Sequence, residues 1–276
     1  MKKIILLCFL ASTSVICSQN NVTESILEEG KLLFRLEKGS WYGTDDMLSR
    51  FESKKDSIGG YLSYETDEHL IRTIFFSRYN TDHILIRYTF DSLPKIKPLQ
   101  TDTIHKVASE LEHSLIKIRQ DARDRASENT DNFFSFYENT ALNFIPVITE
   151  KKRTVFVITG PQVSGIVILG NDYKLSYNKT NEFKTKAKIH KSILQFPYTS
   201  EDKDNPTVST IHTHLITEYI SSTDICTLLL YKDYVEWKQH IVMHDKEVSI
   251  FDLNKETLFT MKRKAWEKIY DHEIND

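Results

Sequence analysis

The sequence predicts an α+β fold, and three observations carry that expectation. Apolar residues recur at helical spacing near the N-terminus and again from Thr103. The runs between Gly59 and Phe90 read as an antiparallel meander. From Phe133 onward, short strand-like segments separated by turn residues dominate. With 276 residues, 40% of them apolar and 11% aromatic, the chain can bury a substantial core in one or two domains, which excludes disorder for most of it.

The elements follow in order. Val22 to Glu37 places Ile26, Leu27, Leu32, Leu33 and Leu36 at roughly helical spacing, and Gly39 is expected to stop that helix. In SWYGTDDMLSRF, Thr44 is placed to cap a short second helix carrying Met47, Leu48 and Phe51, with Trp41 and Tyr42 as aromatic anchors between the two. Three strand-like runs come next, GGYLSYE, HLIRTIFFSRY and HILIRYTF. The last puts Ile84, Ile86, Tyr88 and Phe90 on one face and Leu85, Arg87 and Thr89 on the other, as a half-buried antiparallel strand requires. Thr103 to Ser127 reads as a long amphipathic helix with a stripe of Ile104, Val107, Leu111, Leu115 and Ile118. Its polar end, RQDARDRASENTDN, marks the expected boundary between an N-terminal α+β region, 19–128, and a C-terminal region, 129–276. The C-terminal region is expected to hold a mixed sheet with helices. RTVFVITG, SGIVILG, YKLSYNK, SILQFPY and TVSTIHTH supply strands, and a helix runs from about Thr223 to Trp237. HIVMH and EVSIFDL pair about Asp245-Lys246, and a terminal helix spans Leu258 to Asp271.

Residues 1–18 have the make-up of a secretory leader: Lys2 and Lys3, the apolar run Ile4 to Ala11, then small residues up to Ser18. Cleavage near Ser18 and a secreted or periplasmic mature protein are therefore expected. Ile16 before Cys17 argues against a lipid anchor there. No later apolar run approaches about 18 residues, so no transmembrane segment is expected in the mature chain. Removing Lys2 and Lys3 takes the formal charge from −3 to −5, a balance that argues against nucleic-acid binding and is compatible with a protein or peptide partner. Cys8 and Cys17 leave with the leader, so Cys226 has no internal disulfide partner; on the apolar face of its helix it reads as a buried thiol.

The chemistry concentrates between Ser209 and Tyr231, STIHTHLITEYISSTDICTLLLY. Side chains two apart on a strand share a face, so His212 and His214 present both imidazoles in one direction. Asp224, ten residues after His214, falls in the first turn of the following helix and is an acceptable third ligand for zinc. Three protein ligands leave a fourth position, as a catalytic zinc requires. The same residues support a purely structural reading, because Ser221 to Asp224 spells S-x-x-D, a capping box. His240 and His244, four apart on a strand, share a face; they read by default as exposed sheet residues, with a supplementary place at the site as the alternative.

An apolar strand ending in H-x-H, then S-x-x-D opening the helix DICTLLLYKDYVEW, then HIVMHDKEVSIFDL, resembles the core of the JAB/MPN-type (JAMM) metallopeptidases. The resemblance covers about the last 120 residues at most and is close only from His212 to Asp224. It implies His212, His214 and Asp224 as zinc ligands, Ser221 as the hydroxyl that polarises a reacting carbonyl, and a metal-dependent peptide or isopeptide hydrolase. The chain departs from the family pattern in three places. Leu215 stands where a proline usually follows the second histidine, and the loop to the serine is one residue shorter. In QVSGIVILG, Gln162 takes the place of the glutamate that serves the family as general base, which an amide cannot do. Glu150, Glu182, Glu201 and Glu218 are the other carboxylates considered for that role. The alternative is a non-catalytic binding or envelope-associated protein that keeps the fold without the base.

Overall fold

The computed structural model describes residues 2–104, 106–199, 204 and 206–275, with side chains described between 21 and 269. The chain is α+β. It opens with one helix, α1 (Lys2–Arg50), where the sequence predicts two. Gly39 does not stop it and Thr44 does not cap a second helix, so Trp41 and Tyr42 lie within it. The glycines of α1 serve close approach instead. A Cβ on Gly39 would stand 2.8 Å from Ile71 Cγ2, and one on Gly30 would stand 2.6 Å from Ile225 Cβ. The expected leader, residues 1–18, and its cleavage point lie outside the residues whose side chains are described. Among the described residues, no helix is long and apolar enough to cross a membrane.

By packing, the chain divides into two units: Leu32–Tyr198, and a discontinuous unit of Met1–Lys31 with Thr199–Asp276. In the first, a 3-10 turn (Glu52–Ser57) leads into the expected meander, β1 (Ile58–Glu65), β2 (Ile71–Ser77) and β3 (His83–Phe90). All neighbours in it are antiparallel, and β4 (Gln100–Asp102) and β5 (Lys106–Val107) both pair with β3. Then follow α2 (Glu110–Glu128), β6 (Thr140–Ile148), β7 (Arg153–Pro161), β8 (Ile166–Gly170), β9 (Tyr173–Tyr177), β10 (Phe183–Lys188) and β11 (Ile193–Pro197). They build a four-stranded antiparallel sheet in the order β10-β9-β7-β6 and a separate β8–β11 pair. Both outer strands of the larger sheet tolerate edge chemistry: Pro146 cannot donate to a second neighbour, and Lys184, Lys186 and Lys188 line β10.

Helix α2 starts later than the expected Thr103, because Ser109 and Glu112 form a reciprocal capping box. Ile104 and Val107, assigned to its stripe, are 74% and 72% exposed and precede the helix. One side of α2 packs Leu115 and Ile116 against Leu62, Ile74, Phe76 and Ile84 of the meander. Another packs Ile118, Ala122 and Ala126 against Val155, Val157, Tyr173 and Leu175. The polar run expected to be a domain boundary is thus the C-terminal half of a core helix, and the division found by packing falls elsewhere than 128/129. Buried Glu112 ties the two together chemically: Arg87 donates to both its oxygens at 2.8 to 3.0 Å, and Tyr64 Oη–H donates at 2.8 Å. A second buried carboxyl, Glu37 on α1, is 7% exposed; burial pushes its pKa up to about 7, against the opposing pull of the Arg119 charge.

The second unit carries β12 (Ser209–Thr213), α3 (Ser222–Tyr231), β13 (Gln239–Met243), β14 (Glu247–Asp252), β15 (Thr257–Lys262) and α4 (Arg263–Asn275). Its sheet runs β12-β13-β14-β15 and is mixed, β12 and β13 being parallel and the other pairs antiparallel. A parallel pair needs a crossover, and α3 supplies it. This helix ends six residues before the expected Trp237, yet its residues from Ser222 to Leu230 are all buried, Cys226 fully so. The terminal helix likewise begins five residues after the expected Leu258, because Leu258 to Lys262 pair with β14 as β15. Within this unit α1 meets α3 at Gly30, and Ser222 Oγ–H donates to Glu29 at 2.8 Å.

Candidate metal centre

Strand β12 alternates cleanly: Thr210 and His212 are buried while Ile211 and Thr213 face outward. His214 continues that inner face, and its amide still donates to Met243 O at 2.8 Å, extending the parallel ladder by one bond. The chain then turns through Leu215 to Ile220 and enters α3 at Ser221. The helix start is closed by a complete capping box. Asp224 N–H donates to Ser221 Oγ at 3.0 Å, and Ser221 N–H donates to Asp224 Oδ2 at 2.9 Å. Ser221 Oγ–H also donates to Asp224 Oδ2, at 2.7 Å. The structural reading of S-x-x-D is therefore satisfied, and Asp224 has a second engagement as well.

That engagement is His214, whose Nε2 lies 3.1 Å from Asp224 Oδ2. Ligand atoms of His212, His214 and Asp224 all lie within 4.8 Å of one another, and the three residues are buried. Such a group could hold a metal ion. Two donors at bonds of about 2.0 to 2.1 Å on a tetrahedral ion are separated by about 3.3 Å, so the His214–Asp224 spacing fits two ligands sharing one ion as well as it fits a direct hydrogen bond.

Proton placement sharpens this. His214 Nδ1 stands 2.9 Å from the carbonyl oxygen of Tyr219, an acceptor, and a proton on Nδ1 would make that hydrogen bond. Thr217 Oγ1, 2.6 Å from the same nitrogen, gives its own proton to that carbonyl at 3.1 Å. In a neutral ring Nε2 then turns a lone pair toward a carboxylate oxygen. That arrangement suits a cation between them, whereas a ring with its proton on Nε2, and Nδ1 accepting from Thr217 Oγ1–H, donates directly to Asp224.

His240 adjoins these residues. The register of the parallel pair sets Thr210 opposite His240, and His240 bridges two side chains of β12: its Nδ1 is 2.7 Å from Thr210 Oγ1 and its Nε2 is 2.7 Å from His212 Nδ1. His240 is fully buried, contrary to the expectation of an exposed sheet residue, because β13 is an inner strand and this position faces the core. Burial first, then the neighbouring His212, depresses its pKa to about 3, so it is neutral. His244 is only half-buried, in the turn after β13.

The structure thus brings His212, His214, Asp224 and Ser221 together and adds His240. Glu150 and Glu182 are exposed residues of the Leu32–Tyr198 unit, as is Gln162. Glu218 is exposed in the loop between His214 and Ser221, and Glu201 lies outside the described residues. The sequence offers His240 only as an alternative beside the site, because parallel pairing across a helical crossover leaves no local spacing to read. No protein-family model, curated protein or solved structure matches the chain.

Proposed function

We propose that His212, His214 and Asp224 hold a zinc ion, and that the unit built on β12–β15 and α3 is a JAMM-like metallopeptidase domain acting on peptide or isopeptide bonds. The observation that carries this reading is the 3.1 Å approach of His214 Nε2 to Asp224 Oδ2 in a buried group whose ligand atoms lie within 4.8 Å of one another. Nitrogen, nitrogen and carboxylate oxygen are a donor set suited to zinc, and three protein ligands leave a position for a reactant. Bound zinc supplies Lewis acidity toward a carbonyl oxygen and toward water.

The chain's own residues do the rest. Tyr219 O and Thr217 fix the His214 ring so that Nε2 faces the centre. Ser221 orients the Asp224 carboxylate through both its amide and its hydroxyl. To polarise a substrate carbonyl, as the family resemblance implies, the Ser221 hydroxyl would exchange Asp224 Oδ2 for that oxygen. Among the described residues no carboxylate is assigned as the base that takes a proton.

A specific observation favours a second reading, a non-catalytic metal-stabilised binding protein: Gln162 stands in the place of the family's glutamate, and the Ser221 hydroxyl is engaged in a helix cap. Incubating zinc-loaded protein with peptide and isopeptide-linked substrates separates the two. Hydrolase function predicts cleavage that chelator stops and that His214→Gln abolishes. Bound zinc with no cleavage of any substrate contradicts it and supports the second reading.

A further inference from the structure

We propose that His240 is a positioning residue for the metal: from beneath the site it accepts the Nδ1 proton of His212, fixes that ring's tautomer and turns Nε2 toward the ion. This rests on the zinc reading above and deepens it. The argument is one of donor and acceptor order. Thr210 Oγ1, His240 and His212 form a chain with two contacts of 2.7 Å, all from residues at most 7% exposed. A neutral imidazole offers one N–H and one lone pair, so the chain can run in only two directions. In one, His240 donates from Nε2 to His212, which then carries its proton on Nε2 and cannot ligate through it. In the other, His212 donates from Nδ1 to His240 Nε2, and His240 donates from Nδ1 to Thr210 Oγ1. Only the second leaves the His212 Nε2 lone pair for a cation.

The same order is open to His214, whose Nδ1 lies 2.9 Å from a carbonyl oxygen and whose Nε2 faces Asp224. His212 of β12 and His214 just after it would then ligate through the same nitrogen, each held by an acceptor behind it. A carbonyl serves His214 and a buried imidazole serves His212. Thr210 anchors His240 in turn, and the parallel register that sets residue 210 opposite residue 240 makes the contact possible.

The test compares wild type with His240→Gln, which keeps an acceptor and a donor, and His240→Leu, which keeps neither. Zinc affinity is read by competition with a chromophoric chelator, and folding by the melting point in chelator. The expected result is affinity near wild type for His240→Gln and a loss of about 10- to 100-fold for His240→Leu. Nitrogen-15 NMR of the zinc-loaded wild type should find the His240 proton on Nδ1. Wild-type zinc affinity in His240→Leu, or a His240 proton on Nε2, overturns the positioning role while leaving the zinc site intact. Absence of zinc binding by wild type overturns both.

Discussion

Asp224→Ala should cost about 3 to 5 kcal/mol of stability even in chelator, several times the loss expected from removing a helix cap alone. The carboxylate is fully buried, and its Oδ2 accepts from Ser221 N–H and Ser221 Oγ–H while facing His214 Nε2. Truncation leaves those donors buried with nothing in the place of the acceptor. Ser221→Ala is the control, since it removes the capping hydroxyl but keeps the carboxylate, and should cost about 1 kcal/mol. Urea unfolding of both variants in chelator measures the difference. Equal losses would mean that Asp224 is only a cap.

The second large effect lies in the other unit and depends on pH. Native Glu37 holds its proton up to a pKa of about 7, whereas the unfolded chain releases it near the ordinary 4.5. Between those values the native state binds more protons, so stability falls as pH rises, and the full penalty is present above about pH 7. At about 1.4 kcal/mol for each pH unit separating the two, the penalty is about 3 kcal/mol. Glu37→Gln cannot ionise and should be free of it. Urea unfolding at pH 4, 6 and 8 should find variant and wild type nearly equal at the lowest pH and the variant increasingly more stable above it. Parallel pH profiles would contradict the assignment.

What was legible in the sequence was local. The meander could be read because alternation over eight residues fixes both strand and face. The centre could be read because His212, His214 and Asp224 lie within a single strand–loop–helix passage. What was not legible depended on partners distant along the chain. Gly39 looks like a helix stop until Ile71 is known to press against it, and Leu258 looks helical until β14 is there to pair with it. The start of α2 was a competition between two local signals. The apolar spacing of Ile104 and Val107 suggested one answer, and the Ser109–Glu112 capping box gave the other; the box prevailed because Glu112 also anchors Arg87 and Tyr64. His240 belongs to the same class, since its partners are about 30 residues away on a parallel strand.

The central claim, that His212, His214 and Asp224 form one metal site, is tested most directly by titrating metal-stripped protein with zinc against a competing chelator. The account predicts about one tight equivalent in wild type, with affinity lost together in His212→Ala, His214→Ala and Asp224→Asn, each confirmed as folded by circular dichroism. No zinc uptake by folded wild type, or uptake that survives all three substitutions, would contradict it.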